Sequence, residues 1–413
     1  MTQPVSAAPA TTLTRTQIVG WRNAVFVIFC LCGLGLSSWV SRTPAIRDSL
    51  HASTSEMGWI VFGLAAGSIV GLVLSSHVLV ILGSVRTLTV SLTAAAVGVT
   101  VTGLGATLFT TPLAVVAGLI LFGAGTGMCD VAMNVEGAAC ERVLGRTVMP
   151  LFHAAFSFGT VVGAGLGALA ELLRVPIAVH LGGIALVMVV GVLLSVRKLQ
   201  PHPEEAAAAE HRGTDGAEGA ATGWRGRLAI WGEGRTLLIG LIVLGMAFAE
   251  GSANDWLALA MVDGHGVSNS AGAFIFGIFV AAMTVGRIAG VYLLDRFGRV
   301  PVLRASAALA TVGLLVVIFV PSAVFAGLGV VMWGLGSALG FPVGMSAAAD
   351  DPQKAAARVS AVATIGYFAF LVGPPSIGVL GGHIGLLRAL LLVLILVAVA
   401  GVTSGAAREP GRR

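Results

Sequence analysis

Charge is scarce in this sequence. Asp, Glu, Lys and Arg make up 10% of its 413 residues, against about 25% in an average soluble domain. A soluble chain could not keep so much remaining apolar surface from water, because a compact body hides only a share of its surface set by its size. Cysteine is scarce too. Cys30, Cys32, Cys129 and Cys140 lie in or beside apolar stretches with no CxxC spacing, which excludes a zinc knuckle and a secreted disulfide framework. HExxH, GxSxG and P-loop motifs are absent, as are His and carboxylate clusters at metal-ligand spacing, so neither enzyme chemistry nor a metal or other cofactor is expected. The net charge of +5 arises from basic residues scattered among loops, which is no nucleic-acid footprint.

What the sequence has is apolar length. It is 56% hydrophobic and contains 57 Gly, a composition suited to membrane helices that approach through small residues. At about 20 residues per crossing, hydropathy places spans at 21–41, 56–78, 86–107, 112–135, 149–170, 175–196, 236–258, 270–294, 301–320, 322–345, 356–381 and 385–404. The expected fold is therefore an all-α membrane protein with twelve transmembrane helices in two pseudo-symmetric six-helix bundles. Its expected divisions are a disordered cytoplasmic tail (1–19), an N-terminal bundle (20–198), a cytoplasmic linker (199–235), a C-terminal bundle (236–405) and a short tail (406–413). The apolar run after Arg15 and Arg22 lacks an A-x-A-like cleavage site, so it reads as a retained first helix. Residues 224–235, rich in Trp and Arg, suit a short interfacial helix.

Basic residues set the expected orientation. With the N-terminus cytoplasmic, 19 of the 24 Lys and Arg fall on the cytoplasmic side, Arg42, Arg47, Arg174 and Arg388 on the other, and Arg287 within a span. That bias is the positive-inside pattern of a multi-pass protein of the cytoplasmic (inner) membrane with both termini inside. The halves also repeat. Setting Gly71 over Gly286 brings Gly83 over Gly298, and GAGTGMCDVAMN (123–134) over GLGSALGFPVGM (334–345), with Asp130 facing Phe341. Parallel repeats with a long central loop are a layout of secondary transporters, whose site lies between the halves near the midplane.

The stretch 121–163 concentrates polar chemistry in oil. Asp130 and Asn134 stand one helical turn apart in span 4, as do His153 and Ser157 in span 5. An ionised Asp at mid-membrane costs about 2.5–3.5 kcal/mol on insertion scales, so such a residue marks a partner or a watery path. Because span 4 runs inward and span 5 outward, Asp130 and His153 fall at similar depth and form a candidate pair. A structural clamp between the two helices is the competing reading. Span 7 adds Glu250 near the midplane, Asn254 one turn on, Asp255 and Trp256.

LLDRFGRVPVL (293–303) resembles the loop motif G-x-L-x-D-R-x-G-R-x of the major facilitator superfamily, matched by Asp295, Arg296, Gly298 and Arg299. In the first half only Gly71, Gly83 and a displaced Arg86 remain. SSWVSRTPAIRDSL (37–50), DVAMNVEGAACE (130–141), LFHAAFSFGT (151–160) and EGSANDWLAL (250–259) resemble the YbjJ-like branch, more distantly similar to fucose permease. The resemblance implies alternating access by a monomer. Its fucose-permease side implies proton-coupled symport, with membrane carboxylates handling substrate and protons.

The expected function is thus a secondary active transporter for a small polar or organic solute such as a sugar, with protons as coupling ion. Proton-driven efflux of drug-like amphiphiles is the alternative, followed by a non-transporting receptor or sensor. Asp130, Glu250, Asn134, His153, Ser157 and Asn254 are the proton or substrate candidates. Trp39 and Trp256 are candidates to stack a solute, with interfacial anchoring as the competing role. Arg42 and Asp255 form the candidate outer gate. Asp295, Arg296 and Arg299 form the candidate cytoplasmic gate, with Arg287 joining that network or snorkelling.

Overall fold

The computed structural model describes residues 13–145, 148–200, 230–351 and 354–409. Most of the expected linker and interfacial helix, and parts of both expected tails, lie outside the described residues. Hydropathy and helix length decide the architecture: eleven helical segments among the described residues are long and apolar enough to cross a membrane. One of them, Thr54–Phe109, has 56 residues. At 1.5 Å per residue it is more than twice the roughly 30 Å of a bilayer core, so it crosses twice. The described residues therefore make twelve crossings.

The N-terminal half comprises α1 (Arg15–Val40), the short α2 (Thr43–Leu50), α3 (Thr54–Leu104), α4 (Pro112–Leu144), α5 (Met149–Leu172) and α6 (Ile177–Ser195). The C-terminal half comprises α7 (Gly234–His265), α8 (Asn269–Phe297), α9 (Arg299–Phe319), α10 (Ala323–Ser337), α11 (Gly340–Ala348), α12 (Ala355–Ile384), α13 (Leu386–Ala389) and α14 (Leu391–Thr403). An even number of crossings puts both ends of the chain on one face of the bundle, called here the terminal end; the opposite face is the distal end. α1 starts earlier than hydropathy indicates, because Thr14 and Gln17 form a capping box at its N-terminus. Residues 15–19, expected in the tail, are helical.

The repeat seen in the sequence is exact in the backbone at one place. Gly83 interrupts α3 at φ 73°, ψ 168°, and Gly298 separates α8 from α9 at φ 81°, ψ 171°. A Cβ is not tolerated in that region. Packing repeats as well: Gly125 of α4 rests on the Ser91 carbonyl and Ala95 amide, and Gly336 of α10 rests on those of Ser306 and Ala310. The glycines of α3 and α4 interleave, since a Cβ on Gly67 or Gly71 would land on the carbonyl oxygen of Ile120 or Ala124. Gly159 and Gly163 bring α5 equally close to α1.

Gly373-Pro374-Pro375 does not interrupt α12, which continues through both prolines. Span 10 is instead split into α10 and α11 around Ala338 and Leu339, close to mid-membrane.

The halves meet through α3 against α12 and α5 against α8, pairs that exchange under the repeat. Gly58 packs on Pro374 and Gly378, Gly381 approaches Thr54, and Gly277 faces Ala164. All of these lie in the distal half of their helices.

Candidate functional site

Four helices bring polar groups to one level between the halves. Glu250 sits at the middle of α7, sixteen residues after Gly234 and fifteen before His265. Arg287 of α8 reaches it: Nη2 lies 3.0 Å from Oε1 and 3.2 Å from Oε2. Both side chains stay partly open, at 35% for Arg287 and 19% for Glu250. A charged pair at mid-membrane is tolerated because the two charges neutralise each other and the side chains stay partly exposed.

Asp130 stands across from this pair. On α4 it shares a face with the buried Leu119, Gly123 and Gly137, while the exposed Leu121 and Val135 point the other way. Asp130 is nevertheless exposed, so it opens into a cleft rather than into lipid. Its carboxylate accepts from Asn134 Nδ2 at 3.3 Å, and the same amide donates to the Asp130 carbonyl at 2.7 Å. Tyr367 stands on α12 of the other half. Its ring lies 6.5 Å from that of Phe341, the residue that replaces Asp130 in the second repeat.

His153 does not pair with Asp130. Its ring sits edge-on to Phe29 at 5.2 Å. The geometric reason is that His153 turns to Phe29 of α1 while Asn134 occupies the Asp130 carboxylate. Ser157 lies one turn deeper, buried. Asn254 follows Glu250 by one turn and is half-buried.

The candidate gates are rearranged. Arg42 and Asp255 do not meet. Arg42 is buried within the N-terminal half, where Nη2 donates to the Val175 carbonyl at 2.9 Å and lies 3.3 Å from Glu171 Oε2. Asp255 has no hydrogen bond or ion pair among the described residues. The distal closure is made by α2 instead: Arg47 pairs with Asp263 at the end of α7, and Asp48 accepts from Asn269 Nδ2 at 2.9 Å at the start of α8.

At the terminal end, Arg299 holds Asp350 at 2.7 Å and Ser346 Oγ at 2.9 Å, and Arg235 holds the other oxygen of Asp350 at 2.7 Å. Arg296 is exposed and turns to Tyr292. Asp295 is exposed as well. Arg287 neither joins this cluster nor snorkels, because Glu250 draws it to the midplane.

Trp39 and Trp256 cannot stack a solute in the cleft, and they are not interfacial anchors. They are 1% and 0% exposed, packed inside their own bundles. Glu136 and Glu141, which read as a solvated cluster beside Arg142 and Arg146, are also placed otherwise. Glu136 is buried and accepts from Trp21 Nε1 at 2.8 Å, and Glu141 caps α5 through the amides of Val148 and Met149. Arg146 lies outside the described residues.

Sequence reasoning passed over Tyr367, Arg47, Asp263 and Glu171. Tyr367 had one signal, since the chain contains only two tyrosines and this one stands near the middle of an apolar span. The others are ordinary loop charges until the fold pairs them.

Two six-helix bundles related by a repeat, with charged groups at their common midplane, define a polytopic membrane transporter. The model of the Major Facilitator Superfamily matches residues 24–374 and 256–410, and the chain belongs to that family. It is 31% identical over 367 residues to an uncharacterised transporter of Sinorhizobium fredii, covering 89% of this chain and 92% of that one. It is 28% identical over 374 residues to an uncharacterised MFS-type transporter of Yersinia pestis, covering 88% of each. Among solved structures, a variant of the nucleoside transporter NupG superposes with a TM-score of 0.75 at 15% identity, over 95% of this chain and 100% of that one. A D-xylose–proton symporter gives 0.69 at 14%, over 95% and 98%. FucP in its outward conformation gives 0.64 at 15%, over 96% and 100%. These likenesses establish the fold.

Proposed function

We propose that the chain is a proton-coupled transporter of a small polar solute, such as a sugar, working by alternating access. In this reading it sits in a cytoplasmic membrane with both termini inside, so the distal end is the outer one. The observation that carries the reading is Asp130: an exposed carboxylate on the inward face of α4, bonded to an amide and with no ion pair among the described residues. Such a group gains or loses its charge with a proton, because no fixed positive partner holds it ionised. The Glu250–Arg287 pair then supplies donors and acceptors for hydroxyl or other polar groups of the solute, and Tyr367 and Phe341 supply an aromatic wall.

The distal contacts and the exposure of Asp130 fit an inward-open state. Protonation of Asp130 removes a charge that resists burial and so favours closure of the cleft around it. Orientation is supported by the Lys and Arg bias of the loops. Solved proteins of the same fold include FucP, a fucose–proton symporter of E. coli, and a D-xylose–proton symporter, which makes sugars the first panel to try. The test is uptake into proteoliposomes under an imposed pH gradient, across sugars, nucleosides, organic acids and amphiphiles. Accumulation of a polar solute that follows the gradient is expected. Accumulation indifferent to the gradient, or restricted to amphiphiles, overturns the reading.

A further inference from the structure

A second polar site lies away from the central cleft, at the distal end of the N-terminal half. Three connections converge there: the α1–α2 turn, the segment between α3 and α4, and the α5–α6 loop. They border an open hollow of about 330 Å³ whose polar lining includes Arg42, Ser49, Thr107, Thr110, Glu171 and Arg174.

Arg42 is the unusual member. It is 3% exposed. Its Nη2 is engaged by the Val175 carbonyl and Glu171, but Nε and Nη1 are buried without a partner. Leaving two guanidinium nitrogens unsatisfied in a buried position is costly unless a ligand completes them. α6 begins in the same wall, at Ile177; its Ala178 amide donates to Thr107 Oγ1 at 3.1 Å and its Val179 amide to the Pro176 carbonyl at 3.1 Å. The partial positive charge of that helix end lies beside the hollow. Arg42 and Arg174 against Glu171 leave one net positive charge. The same connections carry Leu108, Phe109, Leu113, Leu172 and Leu173, all largely exposed. Five bare apolar side chains beside a cationic hollow belong at the boundary between acyl chains and headgroups.

We propose that this cavity binds the phosphate of an anionic phospholipid, with the acyl chains lying over those leucines and Phe109. Arg42 and Arg174 meet the phosphate oxygens, the α6 terminus adds its partial positive charge, and Glu171 orients Arg42 and disfavours a dianion. Ala45 and Ser49 of α2 line the same cavity. Because α2 also carries Arg47 and Asp48, the lipid braces the element that closes the distal end.

The test is native mass spectrometry of the full chain in detergent, titrated with dioleoyl phosphatidylglycerol or dioleoyl phosphatidylcholine. One net positive charge near the surface predicts about fivefold tighter binding of phosphatidylglycerol. Arg174→Gln, at an exposed side chain that the fold does not need, should remove about that factor. Arg388→Gln, at the same end of the other half, should leave binding unchanged. Equal retention of phosphatidylglycerol by the wild type and Arg174→Gln overturns the site. Inorganic phosphate forms the second arm: if it saturates the lipid-free protein as tightly as phosphatidylglycerol does, the site takes a soluble anion and the lipid assignment falls.

Discussion

A carboxylate beside a fixed cation and a carboxylate beside an amide answer a proton differently, and this cleft contains one of each. Among the described residues the Asp130 carboxylate has a hydrogen bond from Asn134 and no ion pair, whereas Glu250 is held by Arg287 at 3.0 Å. Asp130→Asn is therefore expected to abolish gradient-driven accumulation while leaving solute exchange at equal pH within about tenfold of wild type, read in the same proteoliposomes. Full gradient-driven uptake by this variant removes the proposed role. Glu250→Gln leaves Arg287 without its counter-charge and should depress both modes of transport. Restoration by the exchanged pair Glu250→Arg with Arg287→Glu would show that the pair matters as a pair. Outside the membrane spans, Glu233 accepts from Arg358 at 2.7 Å and Lys354 at 2.9 Å, and these bonds pull its pKa down to about 2. A depressed acid stabilises the fold above its unfolded pKa and loses that effect as pH falls through the folded value. The Tm gap between wild type and Glu233→Gln should thus be widest at neutral pH and close between about pH 4.5 and about pH 2. A gap that widens on acidification would contradict the pairing.

At the scale of helices, the two strained glycines matter most. Gly83 and Gly298 hold the same backbone conformation at the same point of each repeat, where a crossing ends and the next begins. Replacing either by Ala should cost about 1–3 kcal/mol, because the dihedral region is open only to Gly. Thermal unfolding in detergent would show it, and the two losses should be alike. Gly182→Ala serves as the control, since a Cβ there meets nothing within 4 Å. This was the part of the fold most visible in the sequence, where Gly71 over Gly286 already aligned the two hinges. The split of span 10 was not visible. A hydropathy window sums over some twenty residues and is blind to one irregular turn, while the double proline of span 11, Pro374-Pro375, is absorbed by an intact α12.

For the molecule as a whole, the decisive contacts are those between halves. α2 is only eight residues long, yet it joins α1 and α3 to the far half through Arg47–Asp263 and Asp48–Asn269. Exposed pairs of this kind are individually weak, about 0–1 kcal/mol, and so can be broken and remade in each cycle. Asp263→Arg is expected to shift the population toward the state open at the distal end, with Arg47→Asp in the same chain restoring the balance. Distances between spin labels across the two distal ends would report it. No change in those distances with Asp263→Arg would mean that the apolar contacts of Gly58 and Gly378 alone hold the closure.

The sequence by itself determined that the chain lives in lipid, that it crosses twelve times, that its halves repeat, and which acids were left among apolar residues. Those properties follow from local composition and spacing, which act on each segment whatever its neighbours are. Only the tertiary structure decided the partners. Arg42 answers to Glu171 and not to Asp255, Arg287 to Glu250 and not to the terminal cluster, and Trp39 and Trp256 face their own cores. Each choice depends on how far a helix is rotated about its axis when small residues let it settle on the next one. A rotation of a few tens of degrees moves a charge from cleft to core with no trace in the order of the residues.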